Sequence, residues 1–172
     1  MNVGATEADD GPSDGMERLE VADQALARNL AWIAAADAKA PTVLAIDYAM
    51  LAVLATLIPN LAMVQTTALI AAAIAGAMLL ASVGYLSAVV FPHFTGLKRT
   101  SIFFVTAAAQ SEQEYVQRVA SGPTTELIED IATQAYRNAV IAKSKYRNLR
   151  SAMLLLFLST VPWITAIALL YK

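Results

Sequence analysis

Three blocks of apolar residues, each long enough to cross a lipid bilayer, constrain the fold of this chain more than any other feature. They cover residues 41–58, 67–91 and 151–171, and a helix of about 20 residues crosses a hydrocarbon core of roughly 30 Å. Of the 172 residues, 58% are hydrophobic and 15% are charged, whereas soluble domains are about half apolar and about a quarter charged. We therefore expect an all-α integral membrane protein with three transmembrane helices.

The segments outside these blocks differ in charge and in helical pattern. Residues 1–16 are small and acidic and contain Gly and Pro, which is typical of a disordered tail. Residues 17–40 place apolar side chains at three- or four-residue steps, which predicts an amphipathic helix before the first span. In residues 92–150, Ser111 and Glu114 have the spacing of a capping box. We expect residues 17–40 and residues 92–150 to be helical and cytosolic. Their helices should continue into the first and the third span, respectively.

The basic residues predict the orientation of the chain. With the N-terminus inside, eleven of the 12 Lys and Arg residues lie in the cytosol and Lys172 lies outside, while the connection at 59–66 carries no charge. Because basic loops stay on the cytoplasmic side of the membrane, we predict a cytosolic N-terminus and an external C-terminus. The first 25 residues are acidic and polar rather than a signal peptide, so the first apolar block is expected to remain as an anchor.

Residue types that support catalysis or metal binding are scarce in the sequence. There is no Cys, and the single His, His93, lies in FPHFTG at the end of the second apolar block, where an interfacial position is the simplest interpretation. We find no Gly-rich phosphate loop, no cluster with metal-ligand spacing and no nucleophile–base pair. We therefore expect neither an enzyme nor a metal or cofactor protein, and no nucleic-acid partner.

Trp32, Asp37 and Lys39 form the first group of candidate residues, directly before the first span. The simpler interpretation is an interfacial girdle, with Trp at the headgroup level and a Lys that snorkels toward water. The alternative is a binding site, in which Asp37 accepts hydrogen bonds from the hydroxyl or amine groups of a ligand.

Arg137, Lys145 and Tyr146 form the second group, in a run of five bases without an acid before the third span. Attraction to anionic lipid, about 1 kcal/mol per base, is the simpler interpretation. The alternative is a site for a phosphorylated ligand, because a phosphodiester needs a cationic partner and a base ring needs an aromatic face. Both groups could meet in one layer just under the membrane.

Asp47 is an ionisable residue inside the first span, about two turns after Lys39. A charged group at the centre of a span costs roughly 2.5–3.5 kcal/mol on insertion scales, and less near the interface. Asp47 is therefore either an acid that snorkels toward the inner surface or a functional group, as a polar contact between spans or as part of a pore.

Small residues recur along the second span at spacings that allow close approach of another helix. They are Ala73, Gly76, Ala77, Ala81 and Gly84. Packing inside the protomer is the simpler interpretation, and a self-association face of a homo-oligomer is the alternative.

Short motifs in a fixed order around the three spans carry a resemblance to a known family. They are Trp32 with Ala36-Asp37-Ala38-Lys39-Ala40, Phe103-Phe104, Glu114-Tyr115, Gln134-Ala135-Tyr136 and Lys145-Tyr146-Arg147-Asn148-Leu149. Over about residues 28–171 the chain resembles the transmembrane effectors of Pycsar, the bacterial pyrimidine-cyclase antiphage systems. It departs from their pattern at Val105, where a Gly is common after the aromatic pair.

The resemblance implies a function that composition cannot give. A partner cyclase makes cyclic UMP or cyclic CMP during phage infection, and the effector senses that nucleotide and damages the bacterial inner membrane, so that the infected cell dies before phage matures. The resemblance makes a nucleotide site in the cytosolic parts more credible without assigning its residues. The sequence leaves open which nucleotide is bound. It also leaves two alternatives to the effector function, a constitutive small channel or transporter subunit and a passive membrane scaffold.

Overall fold

The computed structural model describes residues 12–57, 65–91 and 111–170, which contain four helices and no strand. The helices are α1 (Pro12–Leu57), α2 (Thr66–Val90), α3 (Glu112–Ser121) and α4 (Thr124–Leu170). Helices α1, α2 and α4 are each long and apolar enough to cross a membrane. The predicted all-α class with three long apolar helices is therefore confirmed. The tail up to residue 11, His93, Phe103-Phe104 and Lys172 lie outside the described residues.

Helix α1 runs without interruption from Pro12 through Pro41. Pro12 stands at the first helical position, where a missing N–H removes no internal hydrogen bond. The helix therefore begins at Pro12 rather than at Glu17. In its first turns Arg18 pairs with Asp14, four residues earlier, at 2.8 Å. Pro41 removes one hydrogen bond inside the helix, yet the flanking turns stay helical. The predicted amphipathic helix and the first span are thus parts of one helix.

Helix α3 is fixed by its ends rather than by packing, because none of its residues is buried. The Ser111 hydroxyl accepts from the Glu114 N–H at 3.3 Å, and the Ser111 N–H donates to Glu114 Oε2 at 3.1 Å. These two bonds confirm the predicted capping box. The helix ends before Gly122, where a Cβ would overlap the carbonyl oxygen of Arg118.

The chain forms two compact units. The first comprises residues 1–31 and 94–140. Its described part contains α3, the N-terminal part of α1 and the N-terminal part of α4. Inside it, Asn29 Nδ2 donates to the carbonyl oxygen of Ala135 at 2.8 Å, so that a buried amide links α1 to α4.

The second unit comprises residues 32–93 and 141–172 and holds the three apolar segments. Two clusters of buried residues form its interior. One contains Ala36, Ala40, Val43, Leu86, Val89, Leu149 and Ala152. The other contains Leu54, Ala71, Ala72, Ala75, Leu79 and Ala166. Alanine is the commonest residue in both clusters, and small side chains let helices approach closely in a membrane. Along α1 and α2, Asp47 and Ser82 lie between the two clusters.

Replacing the cap of α3, Ser111→Ala, should loosen this helix, because no packing compensates for the lost hydrogen bond. We expect several-fold faster amide hydrogen exchange across residues 112–121 and no change in α2. Gln113→Ala, in the same turn but outside the capping box, is the control. Exchange in α3 that is equal in wild type and Ser111→Ala would contradict the role of the cap.

The same capping box should depend on pH. Hydrogen bonds from the Ser111 backbone N–H, and then from its hydroxyl, lower the pKa of Glu114 in the folded chain. The box therefore stabilises α3 most above the pKa that Glu114 has when unfolded, and it weakens as pH falls through the lower pKa of the folded helix. Exchange protection of α3, corrected for intrinsic rates, should fall at acid pH in the wild type and stay flat in Glu114→Gln.

Candidate functional site

An ion pair between α1 and α4 joins one residue of the first candidate group to one residue of the second. Lys145 Nζ lies 2.5 Å from Asp37 Oδ1. The Lys145 side chain is 11% exposed, whereas the Asp37 side chain is 45% exposed. The Lys145 side chain is therefore largely enclosed by protein, while the side chain of its partner Asp37 remains accessible to solutes.

The remaining candidates next to the apolar segments are exposed. Trp32 and Tyr146 belong to the same unit as the ion pair and present 53% and 38% of their surface. Lys39 is exposed and has no ion pair among the described residues. Arg137 is exposed as well, but it belongs to the first unit. The structure thus brings Asp37 and Lys145 together and leaves the other candidates with free surface.

Asp47 lies in a buried hydrogen-bonded group that involves three helices. Its Oδ2 atom is 2.7 Å from the Ser82 hydroxyl of α2. That hydroxyl is also 3.1 Å from the carbonyl oxygen of Ala152 in α4. Asp47, Ser82 and Ala152 all have 0% exposure, and Asp47 Oδ1 has no hydrogen-bond partner among the described residues. Lys39, two turns earlier on α1, is exposed, whereas Asp47 is buried.

Ser82 is the member of this group that the sequence analysis did not single out. The position of Ser82 within α2 could have identified it. The buried residues of this helix include Ala75, Leu79, Ser82, Leu86 and Val89. These positions follow one another at steps of four and three residues, the spacing of one helix face. A buried hydroxyl in such an apolar register needs a hydrogen-bond partner, from a neighbouring helix or from a carbonyl of its own helix.

The small residues predicted to allow helix approach lie away from the packed face of α2. Ala73, Ala77 and Ala81 are exposed, and a Cβ added at Gly76 or Gly84 would meet no atom within 4 Å. The helix packs through a different set of small residues: Ala68, Ala71, Ala72 and Ala75. Within the described part of the chain, the predicted face of α2 is therefore not used for packing.

Comparison with known families identifies the chain. A family model described as the Pycsar effector protein domain matches residues 21–172, a range that contains both polar contacts. The chain belongs to the Pycsar effector family. Neither a curated protein nor a solved structure matches it. This Pycsar effector is therefore a membrane protein of an antiphage system that signals through cyclic nucleotides. Its described residues contain no group of three or more His, Cys, Asp or Glu that could hold a metal ion.

Asp37→Asn should destabilise the second unit, because it leaves the largely enclosed Lys145 side chain without a counter-ion. Exposed pairs contribute about 0.2–1 kcal/mol, and breaking a buried pair costs about 3–5 kcal/mol. Since Asp37 is half exposed, we expect a loss of about 1–2 kcal/mol. The measurement is SDS-induced unfolding of the purified protein in mixed micelles. Lys39→Gln, an exposed change without an ion pair, should stay close to wild type. Equal stability of Asp37→Asn and wild type would contradict this role of the pair.

Proposed function

We propose that this effector responds to a cyclic pyrimidine nucleotide, cyclic UMP or cyclic CMP, made by a partner cyclase. On binding it would impair the integrity of the bacterial inner membrane and cause abortive infection, with no catalysis of its own. Family membership and the three long apolar helices support this proposal. The exposed small residues of α2 support a homo-oligomer, in which this face contacts a second copy.

The ion pair between Lys145 and Asp37 is the observation that carries the proposal. A cyclic nucleotide has a phosphodiester with one negative charge, which can take the place of a carboxylate on an ammonium group. Asp37 is 45% exposed, so it can return to water when the phosphodiester replaces it. Trp32 lies near Asp37 in the sequence and Tyr146 directly follows Lys145, and both offer exposed aromatic surface for a pyrimidine ring.

Exchange of partners on Lys145 would couple binding to the membrane. The pair joins α1 to α4 beside the cluster that contains Ala36, Ala40 and Leu149. Losing this link leaves the two helices free to repack where the apolar segments begin. A nucleotide drives such a change only if it binds the repacked arrangement better than the resting one. Asp37 provides this difference in affinity. In the resting arrangement it occupies Lys145 and competes with the nucleotide, whereas in the repacked arrangement it has been released and no longer competes.

Nucleotide-dependent leakage is the direct test. The full chain, reconstituted in liposomes filled with a fluorescent dye, should release dye when cyclic UMP or cyclic CMP is added. Cyclic AMP and cyclic GMP should have little effect. Equal leakage with and without nucleotide would instead support a constitutive channel, and no leakage under any condition would support a passive scaffold.

Two substitutions separate binding by Lys145 from a purely structural ion pair. Lys145→Ala should weaken nucleotide binding at least tenfold, because a hydrogen bond to a charged group contributes roughly 1.5–3 kcal/mol. Asp37→Asn breaks the same pair but removes a competitor, so it should bind the nucleotide more tightly than wild type. Isothermal titration of the detergent-solubilised protein measures both. If the two variants lose affinity equally, the pair acts only through structure and the competition mechanism is wrong.

Lys143→Ala is the matched control for Lys145→Ala. Lys143 lies on the same helix two residues earlier, but it is exposed and has no ion pair among the described residues. General attraction of bases to anionic lipid makes the two lysines equivalent, whereas the proposed site uses Lys145. Equal, small effects of both substitutions on binding and leakage would identify the basic run as a lipid anchor.

The proposed orientation places the N-terminus and residues 92–150 in the cytosol and the C-terminus in the periplasm. Its basis is the asymmetry of the Lys and Arg residues. A reporter active only in the periplasm should be active when fused after Lys172 and inactive when inserted at Gly122. An inactive fusion at Lys172, with the protein present in the membrane fraction, would contradict three spans in this orientation.

A further inference from the structure

The hydrogen-bonded group at Asp47 contains two oxygen–oxygen contacts that share one serine hydroxyl. The Ser82 hydroxyl lies 2.7 Å from Asp47 Oδ2 and 3.1 Å from the carbonyl oxygen of Ala152. The first is a typical O–H···O hydrogen-bond distance, and the second is slightly longer than the usual range. A serine hydroxyl has a single hydrogen, while a backbone carbonyl and an ionised carboxylate have none. With Asp47 ionised, the single Ser82 hydrogen would have to serve both acceptors, and at least one of the two contacts would lack a well-directed hydrogen bond.

If the Asp47 carboxyl group is protonated, there is one hydrogen atom for each of the two contacts. The carboxyl O–H then donates to the Ser82 oxygen, and the Ser82 O–H donates to the Ala152 carbonyl. The result is a directed chain from α1 through α2 to α4 in which each contact has its donor. Asp47 Oδ1, which has no partner among the described residues, is then the carbonyl oxygen of a neutral acid. Leaving that atom unpaired costs far less than leaving a buried carboxylate oxygen unpaired.

Among the described residues, the helices around Asp47 provide no cation that would stabilise its charged form. Helix α2 has no charged residue, α4 has none after Arg150, and α1 has none from Ala40 to Leu57 apart from Asp47 itself. The nearest bases along these helices, Lys39 and Arg150, are exposed. The nearest other titratable groups on α1 and α2 are two tyrosines, Tyr48 and Tyr85, and both are exposed. Apolar clusters lie on either side of the group along the helices.

We propose that Asp47 is a proton-binding site that holds the three apolar helices together in the resting protein. When the helices separate and water reaches the carboxyl group, Asp47 transfers its proton to water and becomes a carboxylate. The contact through Ser82 to Ala152 is then lost, because the carboxylate has no hydrogen to donate. Burial of the charged acid is unfavourable, so ionisation opposes return to the resting arrangement. The proton site goes beyond the proposed function, and only the opening step rests on it.

Infrared spectroscopy tests the proton site without any nucleotide. The full chain in liposomes at neutral pH should show the carbonyl stretching band of a protonated carboxyl group. Asp47→Asn should remove this band, and its amide can still donate to Ser82, so the fold is retained. Ser82→Ala should shift the band to higher frequency, because the carboxyl O–H loses its acceptor.

Asp23→Asn is the matched control, since Asp23 is an exposed acid on the same helix and lies outside both contacts, and this substitution should leave the band unchanged. A wild-type spectrum without the band at neutral pH, or a band that survives in Asp47→Asn, would overturn the proton site.

The pH dependence of leakage tests the release step. If opening releases one proton, the nucleotide concentration for half-maximal leakage should fall by up to about tenfold for each unit of rising pH. Asp47→Asn should lack this dependence. A response in wild type that is independent of pH, or equally dependent on pH in Asp47→Asn, would overturn proton release. If no nucleotide causes leakage at any pH, the proposed function fails, and the infrared result alone decides whether Asp47 binds the proton.

Discussion

Inside hydrocarbon there is no water to bind a free N–H or C=O, so each apolar segment must satisfy its backbone internally. Helices α1, α2 and α4 meet this constraint, and α1 and α4 stay helical through Pro41 and Pro162. Because lipid is as apolar as leucine, burying apolar side chains gives these helices little reason to associate. Close packing of alanines and a few polar contacts must supply the association, which is why the few polar groups in the second unit matter.

Two acids on α1 make polar contacts with other helices, and in the proposed mechanism they respond to different signals. Asp37 pairs with Lys145 and is 45% exposed, so a dissolved anion can compete with it. Asp47 is fully enclosed beside Ser82, so only water or a proton can change its state after the helices move apart. In the proposed mechanism the first acid senses the ligand and the second sets the energy required to open the bundle.

The basic run before the third apolar segment illustrates how equal residues acquire different roles. Lys143 and Lys145 carry the same charge two residues apart, and attraction to anionic lipid would treat them alike. In the folded protein Lys145 faces α1 and is 11% exposed, whereas Lys143 is exposed. An enclosed lysine with a displaceable partner suits a ligand, and an exposed one suits anionic headgroups. Both interpretations of the run can thus apply, each to a different residue.

The sequence by itself determined the all-α class, the three long apolar helices, the capping box of Ser111 and Glu114, and the family. The first three follow from composition and from spacing along one chain, since the bilayer sets the length of an apolar helix. The family follows instead from the resemblance carried by short motifs in a fixed order around the spans. Only the tertiary structure decided that Asp37 meets Lys145 and that Asp47 meets Ser82. A pattern within a helix shows which residues share a face, but it does not show which face of another helix packs against them. That choice depends on the rotation and axial position of each helix, which are fixed by packing between residues far apart in the sequence.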